Sequence, residues 1–264
     1  MSARLRGLIV AAYCGLSMLF FFIVQLPAMA LTGSGDFSIW LARRAWSPSA
    51  LWLAGVKVKV SGWEGLPKGP AIYVSNHESA LDVWALFCAI PRNLRFVAKS
   101  ELFRIPVFGW YLKLARFIRV DRRDRAQAVA SLRRAAQTVR AGTSLIAFPE
   151  GTRSPDARVQ PFKKGPFVLA MEAQVPVVPV AIAGAAALNP KRRLEVQRGT
   201  IRVGIGAPID PGRFPDKESL LCEVRTRIIE QHRSLGGLGG DESLHIAQRG
   251  VEGRGNLVPT DDQR

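Results

Sequence analysis

The chain has 264 residues, of which 48% are hydrophobic, enough for one sizeable domain with additional segments. Its formal net charge of +16 indicates contact with nucleic acid, an anionic membrane surface or a phosphorylated substrate. No nucleic-acid-binding module is recognisable, so we predict a membrane or phosphate partner and no nucleic-acid partner. Cys14, Cys88 and Cys222 lie far apart, which excludes a disulfide framework and a cysteine metal cluster and favours a reducing, cytosol-facing location.

Two apolar segments occupy the first fifth of the chain. Residues 7–31 are almost uninterrupted apolar sequence, and about 20 such residues cross a bilayer. A signal peptide is the alternative, because Arg4 and Arg6 precede this stretch. Residues 37–53 contain Trp beside Arg, which is typical of a membrane interface. Basic residues flank the first segment on both sides, so we predict that residues 1–54 form a membrane-anchoring helical hairpin that dips into one leaflet.

Strand and helix patterns alternate from Val56 onward. Alternating Val and Lys residues over 56–60 predict a half-exposed strand, and further strands are predicted at 71–75, 94–98, 117–120, 144–148, 176–183 and 200–205. Helices are predicted at 80–90, 106–115, 124–141, 165–173 and 217–234. This alternation is typical of an α/β fold, a mixed, largely parallel sheet flanked by helices, which we place at residues 55–234. The Gly-rich and polar composition of residues 235–264 predicts a disordered tail.

An acid–base pair, His77 and Asp82, follows the predicted strand at 71–75. Five residues on a helix correspond to about 500°, so the two side chains would not share a helix face. We therefore expect His77 in a turn and Asp82 on the following helix, with Asn76 or Ser79 as the capping residue. A carboxylate on one ring nitrogen fixes the tautomer and leaves the other nitrogen free to take a proton from a hydroxyl group.

A surface or capping pair is the alternative to a catalytic one. Only three histidines occur, and His232 and His245 fall at a polar helix end and in the predicted tail. This distribution favours His77 as the functional histidine. A nucleophilic Ser79 beside His77 and Asp82 is a weaker alternative, because Ser79 lies inside the His–Asp segment and is better placed for capping.

Cationic residues also follow predicted strands. Lys99 and Arg122 each lie at a strand end, and Gly151, Thr152 and Arg153 form a turn after the strand at 144–148. Glycine allows the backbone to bend closely around a ligand, and the planar guanidinium of arginine suits phosphate. An ordinary turn is the alternative for this segment. Because no Lys follows a Gly in P-loop spacing, the turn does not indicate nucleotide binding.

Four blocks in order carry a resemblance to a known family. They are His77 to Asp82 (His-x4-Asp), Phe117-Ile118-Arg119-Val120-Asp121-Arg122, Phe148-Pro149-Glu150-Gly151-Thr152-Arg153-Ser154 and Val177-Val178-Pro179-Val180. Over about residues 55–210 the chain resembles the glycerophospholipid acyltransferases, most closely the bacterial 1-acyl-sn-glycerol-3-phosphate acyltransferases. The second block departs from the family's Phe-Ile-Asp-Arg by a shift of register or an insertion. Residues 98–102 and 162–165 also fit the family pattern.

The resemblance implies transfer of a fatty acyl group to the free sn-2 hydroxyl of 1-acyl-sn-glycerol 3-phosphate, giving phosphatidic acid. Acyl-CoA or acyl carrier protein would be the donor, and neither a bound cofactor nor a metal would be needed. His77, oriented by Asp82, would be the general base. The resemblance also implies a substrate site that contains Lys99, Arg122, Glu150, Gly151, Thr152 and Arg153.

The implied partners are lysophosphatidic acid, the acyl donor and an anionic membrane. The resemblance places the protein at a cell inner membrane, with the catalytic domain on the cytoplasmic face. Two alternatives remain: an acyltransferase for another lyso-lipid, such as a lyso-aminolipid, and a lipid-binding relative without catalytic activity.

Overall fold

The computed structural model describes residues 1–32, 35–120 and 125–245. The strands are β1 Val56–Ser61, β2 Ile72–Ser75, β3 Leu94–Lys99, β4 Ile118–Val120, β5 Ser144–Ala147, β6 Val177–Ala183 and β7 Gly199–Ile205. The α-helices are α1 Ala3–Thr32, α2 Asp36–Leu41, α3 Ser47–Ala54, α4 Asp82–Ala89, α5 Phe108–Leu114, α6 Arg125–Arg140, α7 Gly165–Ala173, α8 Ala185–Leu188 and α9 Lys217–Ser234. A π-helical turn spans Ala42–Trp46, and 3-10 turns span Trp63–Gly65, Ser100–Arg104 and Pro211–Arg213.

The described strands form a mixed sheet in the order β1-β7-β6-β2-β5-β3-β4. Neighbouring strands are parallel except β6 and β7, which are antiparallel. Strands β2, β5 and β6 are buried along their whole length, which explains their continuous apolar sequences. Strand β1 is an edge strand, and it alternates valine with lysine because one of its faces is exposed. The predicted largely parallel, mixed sheet flanked by helices is confirmed.

Helices cover both faces of the sheet. Successive strand residues point to opposite faces. Tyr73 accordingly belongs to the apolar core on the side of α3 and α4, and Ile72 to the core formed with α6, α7 and α9. Because β2 is at the centre of the sheet, both cores support the segment that follows it.

The N-terminal helices form a hairpin, but its second arm is not only a membrane segment. Trp46 donates to Ser17 and Ser38 donates to Met29, so residues 36–54 run antiparallel to α1. Leu51 is buried in the same core as α4. The inner surface of residues 37–53 thus packs on the protein core, because apolar residues at helical spacing serve a core as well as a membrane, and the place of this segment in the leaflet stays a prediction.

The ordered domain extends beyond residue 235, where the disordered tail was predicted to begin. Residues 235–245 pack on the domain: the carbonyl of Gly239 accepts from the amide of Val159, and that of His245 accepts from the amide of Phe162. Glycine-rich composition indicated disorder, but these glycines allow the backbone to approach its neighbours closely. Residues 246–264 lie outside the described part of the chain.

Candidate active site

The segment of residues 76–82, called here the histidine turn, connects central strand β2 to helix α4. As expected, His77 lies in the turn and Asp82 is the first residue of α4. The N-cap position of α4 is Leu81, whose side chain makes no capping hydrogen bond, but the predicted Ser79 lies just before it and its hydroxyl accepts from the amide of Leu81 at 3.3 Å. The carboxyl end of β2 places the turn at the sheet edge where ligands bind in open α/β folds.

His77 and Asp82 form a short hydrogen bond. Nδ1 of His77 lies 2.7 Å from Oδ2 of Asp82, whose side chain is fully buried. The same oxygen accepts from the main-chain amides of Glu78 and Ser79, at 2.7 and 2.8 Å. Burial raises the pKa of the Asp82 carboxyl, while the hydrogen bonds from His77 and Ser79 oppose this rise. The bond from Nδ1 leaves Nε2 as the ring nitrogen that can accept a proton.

Asn76 and Ser79 fix the turn to distant strands and loops. The side-chain amide of Asn76 exchanges two 2.8 Å hydrogen bonds with the main chain of Ile182 in β6. The buried hydroxyl of Ser79 donates to the main-chain carbonyl of Asn189 at 3.0 Å. Ser79 therefore supports the turn, and this geometry does not favour a nucleophilic role.

The segment after β5 holds His77 from behind. The Phe148 ring stacks on the imidazole, with centroids 4.0 Å apart and planes 16° apart. The carbonyl of His77 accepts from the amide of Ser154 at 2.7 Å, and its amide donates to Oε1 of Glu150 at 3.3 Å. Because β2 and β5 are parallel neighbours, their carboxyl ends bring these segments together. The imidazole is thus held by its ring, its main chain and Asp82.

Glu150 is buried and supports His77 rather than lining the cavity described below. The proposal that Glu150 also helps to shape the substrate pocket stays a prediction. Burial raises the pKa of the Glu150 carboxyl well above 4.5, and the negative charges of Asp82 and Glu78 raise it further, against the opposing bonds from the His77 and Gln160 amides. The buried oxygen Oε2 has no hydrogen-bond partner among the described residues.

Glu150→Gln is expected to stabilise the protein more at pH 8 than at pH 5. Above pH 4.5 the unfolded carboxyl loses its proton while the folded one still holds it, so wild-type stability falls as pH rises through the window up to the folded pKa. The slope within that window is at most about 1.4 kcal/mol per pH unit. Urea unfolding in detergent at both pH values measures the difference between variant and wild type.

Glu218→Gln is the matched control for this measurement. A hydrogen bond from Lys164 lowers the pKa of Glu218 below 4.5, so the difference between this variant and wild type should stay constant from pH 5 to pH 8. If the difference between Glu150→Gln and wild type were also constant with pH, the raised pKa of the Glu150 carboxyl would be contradicted.

The turn of Gly151, Thr152 and Arg153 faces the same cavity as His77. Gly151 has a φ of 78°, a left-handed conformation that favours glycine. The carbonyl of Arg153 accepts from Nζ of Lys191 at 2.7 Å, which fixes the main chain of the turn. The structure therefore brings these three predicted residues and His77 together at one place.

Two predicted substrate residues stay predictions. Arg122 lies outside the described residues. Lys99 ends β3, whose carboxyl end lies at the same sheet edge as the histidine turn, but only its main chain is described.

A cavity of about 500 Å³ extends from His77 into the protein. This size lies within the usual range for small-molecule sites. Its walls are mainly apolar and come from the π-helical turn, α4, β3, α5 and the segments around β4 and β5: Trp46, Val83, Phe87, Phe96, Val97, Ala98, Leu102, Phe108, Tyr111, Leu112, Phe117 and Phe148. The polar groups His77, Thr152 and Arg153 are part of the same lining. Such a site fits a ligand with a polar reactive group and a long apolar chain.

Sequence reasoning missed several supporting residues. Lys191, Asn189 and the stacking of Phe148 on His77 carry no pattern that points to them, because their contacts cross long stretches of chain. His232 lies at a helix end as predicted, but it is fully buried beside Glu78. The one signal in the sequence that could have pointed to His232 is that histidine is rare, with three in the chain.

Comparisons with known proteins agree with this geometry. The acyltransferase family model matches residues 57–183. A chloroplastic 1-acyl-sn-glycerol-3-phosphate acyltransferase of Brassica napus is 33% identical over 239 residues, which cover 87% of this chain and 67% of the relative. The 1-acyl-sn-glycerol-3-phosphate acyltransferase of Saccharomyces cerevisiae is 31% identical over 234 residues, covering 87% of this chain and 77% of the yeast protein.

A solved structure is also similar. The crystal structure of the 1-acyl-sn-glycerophosphate (LPA) acyltransferase PlsC from Thermotoga maritima matches with a TM-score of 0.73 and 28% sequence identity, over 89% of this chain and 95% of that chain. The fold and the site define an acyltransferase. The chain belongs to the acyltransferase family, among the 1-acyl-sn-glycerol-3-phosphate acyltransferases, which confirms the resemblance seen in the sequence.

Proposed function

We propose that this enzyme transfers a fatty acyl group from acyl-CoA or acyl carrier protein to the sn-2 hydroxyl of 1-acyl-sn-glycerol 3-phosphate, giving phosphatidic acid. The observation that carries this proposal is the His77–Asp82 pair, which shares one apolar cavity with Arg153. The names of the relatives support lysophosphatidic acid as the acceptor.

The reaction needs one proton acceptor and no covalent enzyme intermediate. Nε2 of His77 takes the proton of the sn-2 hydroxyl as its oxygen attacks the thioester carbonyl carbon. The carbonyl π electrons move to oxygen, and when the carbonyl re-forms the carbon–sulfur bond breaks. The departing sulfur takes the proton from His77, so the products are an ester and a thiol. Asp82 keeps Nε2 facing the reactants and stabilises the imidazolium.

The cavity provides suitable surroundings for both the apolar chain and the phosphate of the substrates. The apolar part of the cavity suits a fatty acyl chain, and the guanidinium of Arg153 suits the phosphate of the acceptor. Arg122 and Lys99 remain proposed as a second phosphate ligand and as the group that stabilises the thioester oxyanion.

Arg153→Ala is expected to lower kcat/KM for lysophosphatidic acid by about 10- to 150-fold, mainly through KM. A hydrogen bond to a charged group contributes about 1.5–3 kcal/mol, and this variant removes the bidentate donor. The assay offers labelled acyl-CoA or, in separate reactions, carrier protein loaded with a labelled acyl group. The acceptor is lysophosphatidic acid, a lyso-aminolipid or monoacylglycerol. With phosphate-free acceptors the variant should match wild type.

Arg158→Ala is the matched control for Arg153→Ala. It removes an exposed arginine from the same connection after β5 and should leave kcat/KM unchanged. Wild-type activity confined to a phosphate-free acceptor would overturn the acceptor assignment. Lipid binding without acyl transfer to any acceptor would favour the non-catalytic alternative.

The outer surface of α1 supports a membrane location. Helix α1 is long and apolar enough to cross a membrane, and only 17% of its apolar window is buried. Exposed apolar surface of this extent marks a membrane or protein interface. We place the enzyme at a cell inner membrane with the catalytic domain on the cytoplasmic face, where acyl donors in the cytosol and acceptors in the bilayer both reach the site. The basic net charge suits an anionic leaflet.

Replacing Leu16 and Ile23 by glutamate is expected to weaken binding to anionic vesicles at least about 100-fold. These side chains are 74% and 57% exposed, and burying one such side chain contributes about 1.5–3 kcal/mol. Flotation with phosphatidylglycerol vesicles measures the effect. Leu238→Glu with Leu244→Glu is the matched control, because it changes exposed leucines outside α1 and should leave vesicle binding intact. Equal binding of both double variants would contradict a membrane role for α1.

A further inference from the structure

Glu78 and His232 form a buried pair that the proposed mechanism does not use. Nε2 of His232 lies 2.8 Å from Oε1 of Glu78, and both side chains are buried. Glu78 follows His77 in the histidine turn, whereas His232 lies in the last turn of α9. A buried carboxylate is costly unless donors satisfy it, so this pair constrains the turn strongly.

The position of the ring proton follows from the second nitrogen of His232. The main-chain amide of Gly239 donates to Nδ1 at 3.0 Å. A ring nitrogen that accepts an amide proton carries none itself. The proton of the imidazole is therefore on Nε2, where it is donated to Glu78.

Glu78 connects this pair to Asp82. Its other carboxylate oxygen accepts from the amide of Ala186 at 2.9 Å, at the start of α8. Its own main-chain amide donates to Oδ2 of Asp82 at 2.7 Å, the oxygen that also binds His77. The side chain of Glu78 is thus bonded to both α8 and α9. This fixes the position of the Glu78 main-chain amide, which orients Asp82.

The segment Leu235–Gly240, called here the strap, closes over His232. A Cβ atom on Gly237 would lie 2.3 Å from Nε2 of His232, so only glycine allows the chain to cross the ring there. Gly239, which donates to Nδ1, has a φ of 70°. The strap therefore requires glycines at the positions where it touches the imidazole.

Arg225 fixes the far end of the strap. Its guanidinium is buried and donates to the carbonyls of Val159, Gln160 and Asp241, at 3.1, 3.1 and 2.8 Å. Val159 also pairs with Gly240 in a β-bridge. The strap is thus held at both ends, and the tautomer of His232 is set by a fixed amide.

We propose that His232, acting through Glu78, is a positioning residue that holds Asp82 and His77 in the geometry for proton transfer, and that the strap fixes its tautomer. The kinetic consequence rests on the proposed function. The geometric consequence, an altered His77 ring environment when the pair is broken, does not.

The test compares His232→Leu with His232→Gln in the full-length protein. Leucine removes the donor to Glu78, and kcat with acyl-CoA and lysophosphatidic acid should fall roughly 10- to 100-fold with both KM values unchanged, as expected for a displaced general base. The Nε2 amide of glutamine can donate to Glu78 in place of the ring nitrogen, so His232→Gln should recover most of the lost kcat. His245→Leu is the control, because it removes an imidazole that is not bonded to Glu78.

A second measurement does not depend on activity. In protein labelled with ¹⁵N-histidine, the His77 ring resonances should shift in His232→Leu and stay near their wild-type positions in His232→Gln. Circular dichroism and gel filtration establish that each variant is folded. If His232→Leu does not fold, Glu78→Gln replaces it, because it keeps the side-chain length and removes one acceptor; it should lower kcat and shift the His77 resonances.

The outcomes separate the two proposals. Wild-type kcat in a folded His232→Leu, or in Glu78→Gln where that variant replaces it, overturns the positioning role, and so does an equal loss of kcat in the leucine and glutamine variants. A wild-type protein that transfers no acyl group overturns the proposed function instead. In that case unshifted His77 resonances overturn the positioning role, and shifted ones support it.

Discussion

Replacing His77 by alanine is expected to lower kcat by about 10²–10⁴-fold without unfolding the domain. The variant removes the general base, whereas the bonds to Glu150 and Ser154 involve the main chain of residue 77 and survive in alanine. Arg153 is untouched, so KM for lysophosphatidic acid should change little. Initial rates with labelled acyl-CoA measure both parameters.

His245→Ala is the control for this prediction, because it removes a histidine outside the candidate site. Circular dichroism and vesicle flotation show whether His77→Ala keeps its fold and membrane binding. A His77→Ala variant that transfers acyl groups at the wild-type rate would overturn general-base catalysis by His77.

Asp82→Asn is expected to lower kcat by up to about 10⁴-fold, by analogy with other His–Asp pairs. With its oxygen in the place of Oδ2, asparagine still accepts from the amides of Glu78 and Ser79 and from Nδ1 of His77, and its NH₂ group takes the place of Oδ1, which has no hydrogen-bond partner among the described residues. The variant therefore lacks the negative charge that stabilises the imidazolium when His77 takes a proton. Acyl-transfer rates at saturating substrate measure the loss.

Asp82→Ala separates this charge effect from a folding effect. Alanine leaves the amides of Glu78 and Ser79 without an acceptor, which costs about 1–3 kcal/mol for each buried donor. The alanine variant should therefore be both inactive and less stable than Asp82→Asn in urea unfolding. Wild-type activity of Asp82→Asn would show that the negative charge of Asp82 does not contribute to catalysis.

The elements of the α/β domain could be predicted closely from the sequence. The helix predicted at 165–173 and that at 217–234 match α7 and α9, and the predicted strands match with shifts of about one residue at their ends. Local periodicity suffices here because each strand or helix buries one repeating face. The His77–Asp82 relation was also predictable, since five residues at a strand–helix junction allow few arrangements.

Errors occurred where a local pattern has two physical explanations. Apolar residues at helical spacing over 37–53 suit a membrane or a core, and contact with α4 decides for the core on one side. Glycines over 235–240 suit a flexible tail or close packing, and the ring of His232 decides for packing. No property of the segments themselves separates these alternatives.

The sequence by itself determined the fold class, the acid–base pair and the turn that carries Arg153. These features depend on residues near one another in the chain or on blocks of recognisable order. Only the tertiary structure decided which residues surround the pair: the stacked Phe148, the inward carboxyl of Glu150, the apolar cavity and the anchor from Glu78 to His232. These contacts join segments up to 154 residues apart, and their energies depend on burial and distance, which exist only after the sheet has brought the segments together.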